Sequence, residues 1–399
     1  MKIRMSSPDL TDADRQAVLD VVNTPNLSMG PKIDAFEGAF CAVTGAKHTI
    51  GVSSGTTGLH LCIRAADINP GDIVITTPFS FVSSTNVILF EKAVPVFVDV
   101  DPVTGNIDPD LVEAAVEDLF LGGERALKWL PRRLPTFNQG RLGALKAILP
   151  VDVFGQPADY DPINAAANQY DLVVIEDSCE ALGGEYKGRY AGTLGDYGVF
   201  AFYPNKQITT GEGGMIITND DQAADFMRAL RNQGRAPGDT WLQHTHLGYN
   251  YRLDEMSAAL GLSQLERLDS LLQSRARVAD WYAKYLANIE EVTPPQIVPS
   301  TTSVSWFVYV IKVDENIDRD RLARILEERG VPVRPYFAPI HTQPYMMNMF
   351  GYQLGDYPVT EDLGDRSLAL PFSGRMSEEE VVAVCQRIAD ALIAAEKVD

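Results

Sequence analysis

Between Leu172 and Asp177 the chain reads Leu-Val-Val-Ile-Glu-Asp, an apolar run that ends in two acids. A strand with one wet face alternates apolar and polar residues, whereas a strand without alternation has to be covered on both faces. Such a strand belongs in a mostly parallel sheet with helices on either side. The neighbouring sequence supplies those pieces. Strand-like segments at 73–76, 94–98 and 147–154, and another opening at His48, alternate with helical patterns at 33–44, 59–64, 83–90 and 162–170. The expected fold class is therefore α/β. Open sheets of this kind place ligands outside the carboxyl ends of their strands, so the acidic end of 172–177 is expected at a ligand-binding edge.

The opening segment 11–22 also has a helical pattern, with Asp12 and Asp14 favouring its positive end. Farther on, a helix is expected at 221–231. A long helix follows at 254–271, with Met256, Leu260, Leu262 and Leu265 roughly on one side. A further helix at 275–289 leads into strand-like 303–313, helical 319–329, strand-like 331–336 and a closing helix at 378–396. This order divides the chain into a large domain at 1–265 and a smaller C-terminal α+β domain at 266–399. Residues 113–143 are less regular and read as an insertion.

The formal charge of −20 argues against general binding to nucleic acid or to anionic membranes. It leaves room for a small anion held by a few local arginines. No apolar run reaches membrane-spanning length, and the N-terminus lacks the apolar core of a signal peptide. Cys41, Cys62, Cys179 and Cys385 lie far apart, without metal or redox spacing. Four free thiols in a reducing cytoplasm are expected.

Chemistry enters at Phe200-Ala-Phe-Tyr-Pro-Asn-Lys-Gln-Ile-Thr-Thr-Gly-Glu-Gly-Gly214. A strand-like run stops at Pro204, Lys206 follows in a glycine-rich loop, and strand character resumes at Met215. Desolvation beside buried strands favours the neutral form of an amine and makes it a nucleophile. A surface lysine in a hairpin loop fits the same residues. Gly55-Thr-Thr-Gly58 joins a strand to a helix and could offer backbone N–H groups to a phosphate, or serve only as a helix cap. Asp177, at a buried strand end, needs a cation or several donors. A protonated pyridine nitrogen, an arginine or a helix N-cap would each serve. Phe81, after Thr77-Pro78, sits where a flat ring could rest on it, or where an aromatic could simply fill core. A reactive lysine, an acid, a phosphate cradle and an aromatic face are together what pyridoxal phosphate requires.

These segments, in this order, resemble the DegT/StrS-type sugar aminotransferases, a branch of the fold-type I pyridoxal-phosphate enzymes. The resemblance runs through Gly30-Pro31, Ser53-Ser-Gly-Thr56, Pro95-Val-Phe-Val-Asp-Val-Asp101 and Glu176-Asp177. It continues in Tyr203-Pro-Asn-Lys-Gln-Ile-Thr-Thr-Gly-Glu-Gly-Gly214, Gly248-Tyr-Asn-Tyr-Arg252 and the rim from Arg334 to Pro344. It implies that Lys206 carries the cofactor as a Schiff base and moves protons once released. Asp177 would pair with the pyridine nitrogen, Phe81 stack on the ring, and Gly55 and Thr56 hold the phosphate. Asn250 would reach the phosphate of a neighbouring subunit, giving a homodimer with shared sites. Arg252, Tyr336 and His341 would lie near the substrate.

The implied reaction moves an amino group, with L-glutamate as the expected donor, to a keto group on a nucleotide-activated sugar. Such a step serves amino-sugar or surface-polysaccharide biosynthesis; a cyclitol ketone is a second acceptor class in the family. Two positions depart from the family pattern. Ala201 stands where a phosphate-binding serine is frequent, leaving Thr57 as another hydroxyl for that task. Glu180 stands where glutamine or histidine is frequent near the cofactor ring. The family's dehydratases carry histidine in place of the lysine, so Lys206 speaks against that branch. Gly51-Val-Ser-Ser-Gly55 fits the nucleophile elbow of a serine hydrolase, with Ser53 as nucleophile and His341 as base, but no oxyanion loop precedes it. A non-catalytic ligand sensor on the same fold is the remaining alternative.

Overall fold

The apolar segments meet edge to edge in one seven-stranded sheet. The computed structural model describes residues 3–135 and 142–395. In chain order the strands are β1 (His48–Val52), β2 (Ile73–Thr76), β3 (Val94–Phe97), β4 (Leu145–Leu149), β5 (Val173–Asp177), β6 (Tyr197–Ala201) and β7 (Gly214–Thr218). In space they follow β1-β7-β6-β5-β4-β2-β3. The pairs from β6 through β3 are parallel, and β7 alone runs against its neighbours β6 and β1. The fold is that of a mostly parallel α/β sheet, as the unalternating run at 172–177 requires.

Adjacent residues on each strand enter opposite cores, which is why alternation is missing from the sequence. Val74, Leu149, Ile175, Val199 and Ile216 pack on one face with Leu59, Val87 and Met227 from the helices Gly55–Ala65, Ser83–Phe90 and Asp221–Arg231. Ile75, Ile148 and Val174 pack on the other with Val112, Val116 and Ile163. Phe200 and Ile217 meet Phe36, Phe40 and Ala258 farther along that face. Each buried aliphatic or aromatic side chain of this kind contributes about 1.5–3 kcal/mol relative to exposure.

A second sheet lies in the C-terminal part. Its strands β8 (Val292–Thr293), β9 (Tyr309–Val313), β10 (Arg334–Pro335) and β11 (Ser367–Leu370) are antiparallel, in the order β8-β9-β11-β10. Helices Leu268–Leu286, Arg319–Glu328 and Glu378–Ala395 cover it, and Tyr282, Leu322, Ile311, Val384 and Ile388 form a separate apolar core.

Three expectations require correction. The stretch 113–143 does not begin as an insertion: helix Pro109–Leu121, capped by the Asp108 carboxylate, buries Val112, Ala115 and Val116 against the sheet. The loop after it is anchored by the Trp129 indole N–H on Asp118 and by Arg132 on Asp356, while residues 136–141 lie outside the described residues. The long helix expected at 254–271 ends at Leu265, and its successor runs unbroken from Leu268 to Leu286. The break falls at Arg267, which leaves helical geometry and extends its guanidinium to Asp9 and Asp14, a tertiary tie with no periodic signature. Of the strand expected at 331–336 only Arg334–Pro335 pairs, because proline confines it to an edge.

Candidate active site

Strands β1, β5 and β6 end, and β7 begins, at one edge of the large sheet. A cavity of about 520 Å³ opens there, lined by Thr56, Phe81, Asp177, Glu180, Lys206 and Tyr336 among others. These residues, all singled out in sequence, share one space with Gly55 and Ala201.

Asp177 is the last residue of β5 and is buried. A buried carboxylate needs donors, and it has two: the Ser84 hydroxyl at 2.6 Å and the Cys179 N–H at 3.2 Å. No arginine pairs with it among the described residues, so of the open alternatives the salt bridge falls away. Lys206 stands in the loop between β6 and β7, with its side chain largely buried and Nζ 3.7 Å from Glu180 Oε1. On its other side Nζ lies 3.8 Å from the centre of the Phe307 ring. A surface lysine would have neither contact. The buried Arg275 fixes the backbone beneath it, donating to the carbonyls of Asn205 and Lys206 at 3.1 and 2.6 Å and to those of Trp306 and Phe307 at 3.2 Å.

Glu180 is buried, and its Oε2 accepts the Phe154 N–H at 3.0 Å. Burial pushes its acid up from the ordinary value, against the opposing pull of the Lys206 ammonium and that N–H. Tyr336 borders the same space, and burial, with Glu180 adding to it, raises its hydroxyl as well. Phe81 is 63% exposed, an aromatic open to the cavity instead of packed in core.

The helix Gly55–Ala65 begins at the cavity. Ser54 caps it, accepting the Thr57 N–H at 3.1 Å, while Thr57 Oγ1 accepts the Ser54 N–H at 3.0 Å. Capping and anion binding are compatible here, since Gly55 and Thr56 still face the cavity. Thr57 is not the replacement hydroxyl, because it donates to the Ser54 carbonyl at 2.8 Å; Ser54 is engaged in turn, donating to Thr57 Oγ1 at 3.2 Å, and Thr56 is the hydroxyl at hand. Gly55 lies so close to β6 that an added Cβ would come within 2.7 Å of Cys179 Sγ and 2.9 Å of Ala201 Cβ. Gly55→Ala is expected to cost about 1–3 kcal/mol of stability through overpacking and to weaken cofactor retention. Denaturant unfolding and a cofactor titration measure the two effects, and wild-type values in both would remove the packing argument.

Four further residues of the matched segments lie outside this cavity. His341 is fully buried, 0% exposed, with Nε2 2.8 Å from Glu361 Oε1 and its ring edge-on to Tyr357, so it cannot touch a substrate. The sequence placed it on a polar rim; burial with an acid partner is what packing made of it. Arg252 is half-buried and donates to Asn232 Oδ1 at 3.1 Å, outside the cavity lining. Arg334 is exposed and paired with Glu327. Asn250 is exposed, between Tyr249 and Tyr251, whose rings stack on each other at 4.8 Å, and it does not border the cavity of its own chain. The elbow reading fails too. The Ser53 hydroxyl neighbours Thr57 at 3.4 Å, and His341 is engaged with Glu361. Sequence reading missed Ser84, Phe307 and Arg275, none of which carries a local signal.

The residues present fit pyridoxal phosphate: an amine, a strand-end carboxylate, an open aromatic and a helix start with the Thr56 hydroxyl line one cavity of suitable size. Fold and site together are those of a pyridoxal-phosphate-dependent aminotransferase. The profile of the DegT/DnrJ/EryC1/StrS aminotransferase family matches residues 8–389. The chain belongs to this family and is a pyridoxal-phosphate-dependent sugar aminotransferase. It is 37% identical over 396 residues to a GDP-perosamine synthase of Caulobacter vibrioides, covering 98% of this chain and 99% of that one. The crystal structure of a family aminotransferase from Brucella abortus superimposes with a TM-score of 0.83 at 31% identity, covering 96% of this chain and 95% of the other. Helicobacter pylori PseC, an aminotransferase involved in the biosynthesis of pseudoaminic acid, gives 0.87 at 27% identity, covering 99% and 100%. Among the described residues no helix is long and apolar enough to cross a membrane.

Proposed function

We propose that this aminotransferase moves the amino group of L-glutamate to a keto group of a nucleotide-activated sugar. The observation that carries the reading is the convergence of Lys206, Asp177 and Phe81 on one cavity at the sheet edge, beside a helix N-terminus. The similarity to a GDP-perosamine synthase supports a nucleotide-linked acceptor. Pyridoxal phosphate, when bound, supplies a ring that takes up the charge released as the C–H bond beside the amino group breaks. Lys206 accepts that proton and returns it on the cofactor side; with the keto sugar the same residue works in reverse. Asp177, held by Ser84 and the Cys179 N–H, would pair with the ring nitrogen. Gly55, Thr56 and the helix start would hold the phosphate and Phe81 would cover the ring, with Tyr336 bordering the same cavity. Asn250, exposed and outside the lining of its own cavity, would serve the phosphate of a second copy in a homodimer with shared sites.

The test is the absorption spectrum of purified protein with pyridoxal phosphate, before and after L-glutamate. The expected result is a visible band of lysine-bound cofactor that gives way to the band of pyridoxamine phosphate, and returns when a GDP-linked keto sugar is added. A stable band with glutamate overturns the donor assignment. Failure of nucleotide-linked keto sugars, with a free keto sugar or cyclitol ketone active instead, overturns the acceptor.

A further inference from the structure

An amine that bonds a cofactor in one part of a reaction and is free in another needs a place to rest while free. Around Lys206 such a place is built. Its Nζ lies between Glu180 Oε1, at 3.7 Å, and the face of Phe307, 3.8 Å from the ring centre. Glu180 is the one acid that pairs with Lys206 among the described residues. A carboxylate on one side and an aromatic face on the other both attract an ammonium, and more strongly where water is scarce.

The frame around this contact is rigid. Glu180, Lys206 and Phe307 come from three distant segments, and two buried side chains join them. Arg275 links the Lys206 and Phe307 carbonyls at 2.6 and 3.2 Å. The Gln207 side-chain amide donates to the Glu180 carbonyl at 2.6 Å and to Ser305 Oγ at 2.6 Å. The second oxygen of Glu180 is fixed by the Phe154 N–H at 3.0 Å, so only Oε1 remains to meet the amine.

We propose that Glu180 and Phe307 are positioning residues that hold the protonated amine of Lys206 over the cavity whenever it is not bonded to the cofactor. The inference rests on Lys206 being the cofactor-bearing amine. Glutamate at position 180 then has a task that glutamine, neutral at every pH, performs less well.

The experiment uses cofactor-free protein and a limiting amount of acetic anhydride at mildly alkaline pH. Mass spectrometry reads acetylation of Lys206 relative to the exposed Lys92. Glu180→Gln keeps the shape and can still accept the Phe154 N–H, so a purely structural role would leave the ratio unchanged. The expected ratio rises about tenfold in Glu180→Gln and about threefold in Phe307→Leu. An unchanged ratio in a natively folded variant overturns the proposal, and Phe307→Leu alone decides it should Glu180→Gln not fold. Absence of the cofactor band in wild-type protein would instead sink the assignment of Lys206, since the labelling is done without cofactor.

Discussion

Lys206→Ala is expected to lower turnover by about 10⁴-fold and to remove the visible band of lysine-bound cofactor, with the fold retained. Lys206 is the one lysine lining the cavity among the described residues, and its amine can both bond a carbonyl carbon and carry a proton. Its Nζ meets Glu180 and the Phe307 ring, and truncation leaves the ties that Arg275 makes to the loop backbone in place. Burial pushes the Glu180 acid up, and loss of its cationic neighbour removes the pull that opposes this. Single-turnover measurements with L-glutamate give the chemical step, and a small exogenous amine is expected to restore part of it. Turnover within tenfold of wild type would place the proton transfer on another residue.

Arg275→Ala is expected to have the largest effect on stability, a loss of about 3–4 kcal/mol. Its side chain is 5% exposed and donates to four backbone carbonyls in two segments. Burial pulls its pKa down to about 10, still well above neutrality, so the guanidinium remains charged and keeps its donors. Removal leaves these carbonyls facing one another without partners, at the base of the lysine loop and beside Phe307. Arg275→Lys is expected to recover only part of the loss, since one ammonium cannot reproduce the planar fork. Denaturant unfolding measures both variants. A loss below 1 kcal/mol for the alanine variant would mean that water replaces the guanidinium.

Much of the site was legible because its elements have local causes. The apolar run before Asp177 required burial on both faces, and that placed the acid at the sheet edge. The loop around Lys206 was bracketed by strands that pair from Tyr197↔Thr218 to Ala201↔Gly214. The small-residue turn at Gly55 reads as a helix start in sequence and is one in space. What escaped has no local cause. Ser84 holds Asp177 across 93 residues, and Arg275 reaches Lys206 across 69. The helix break at Arg267 likewise follows from acids at positions 9 and 14.

Periodicity and composition along the chain determined the layers, the parallel sheet, and the edge at which an acid and a lysine would stand, because burial on one or two faces is written into neighbouring residues. Which side chains face the cavity was decided by tertiary structure alone. Tyr336 and His341 come from one short polar-aromatic segment, yet one borders the cavity and the other is sealed against Glu361. Their directions depend on elements far away in sequence, Glu361 for His341 and the strand-end cavity for Tyr336, and no local pattern encodes them.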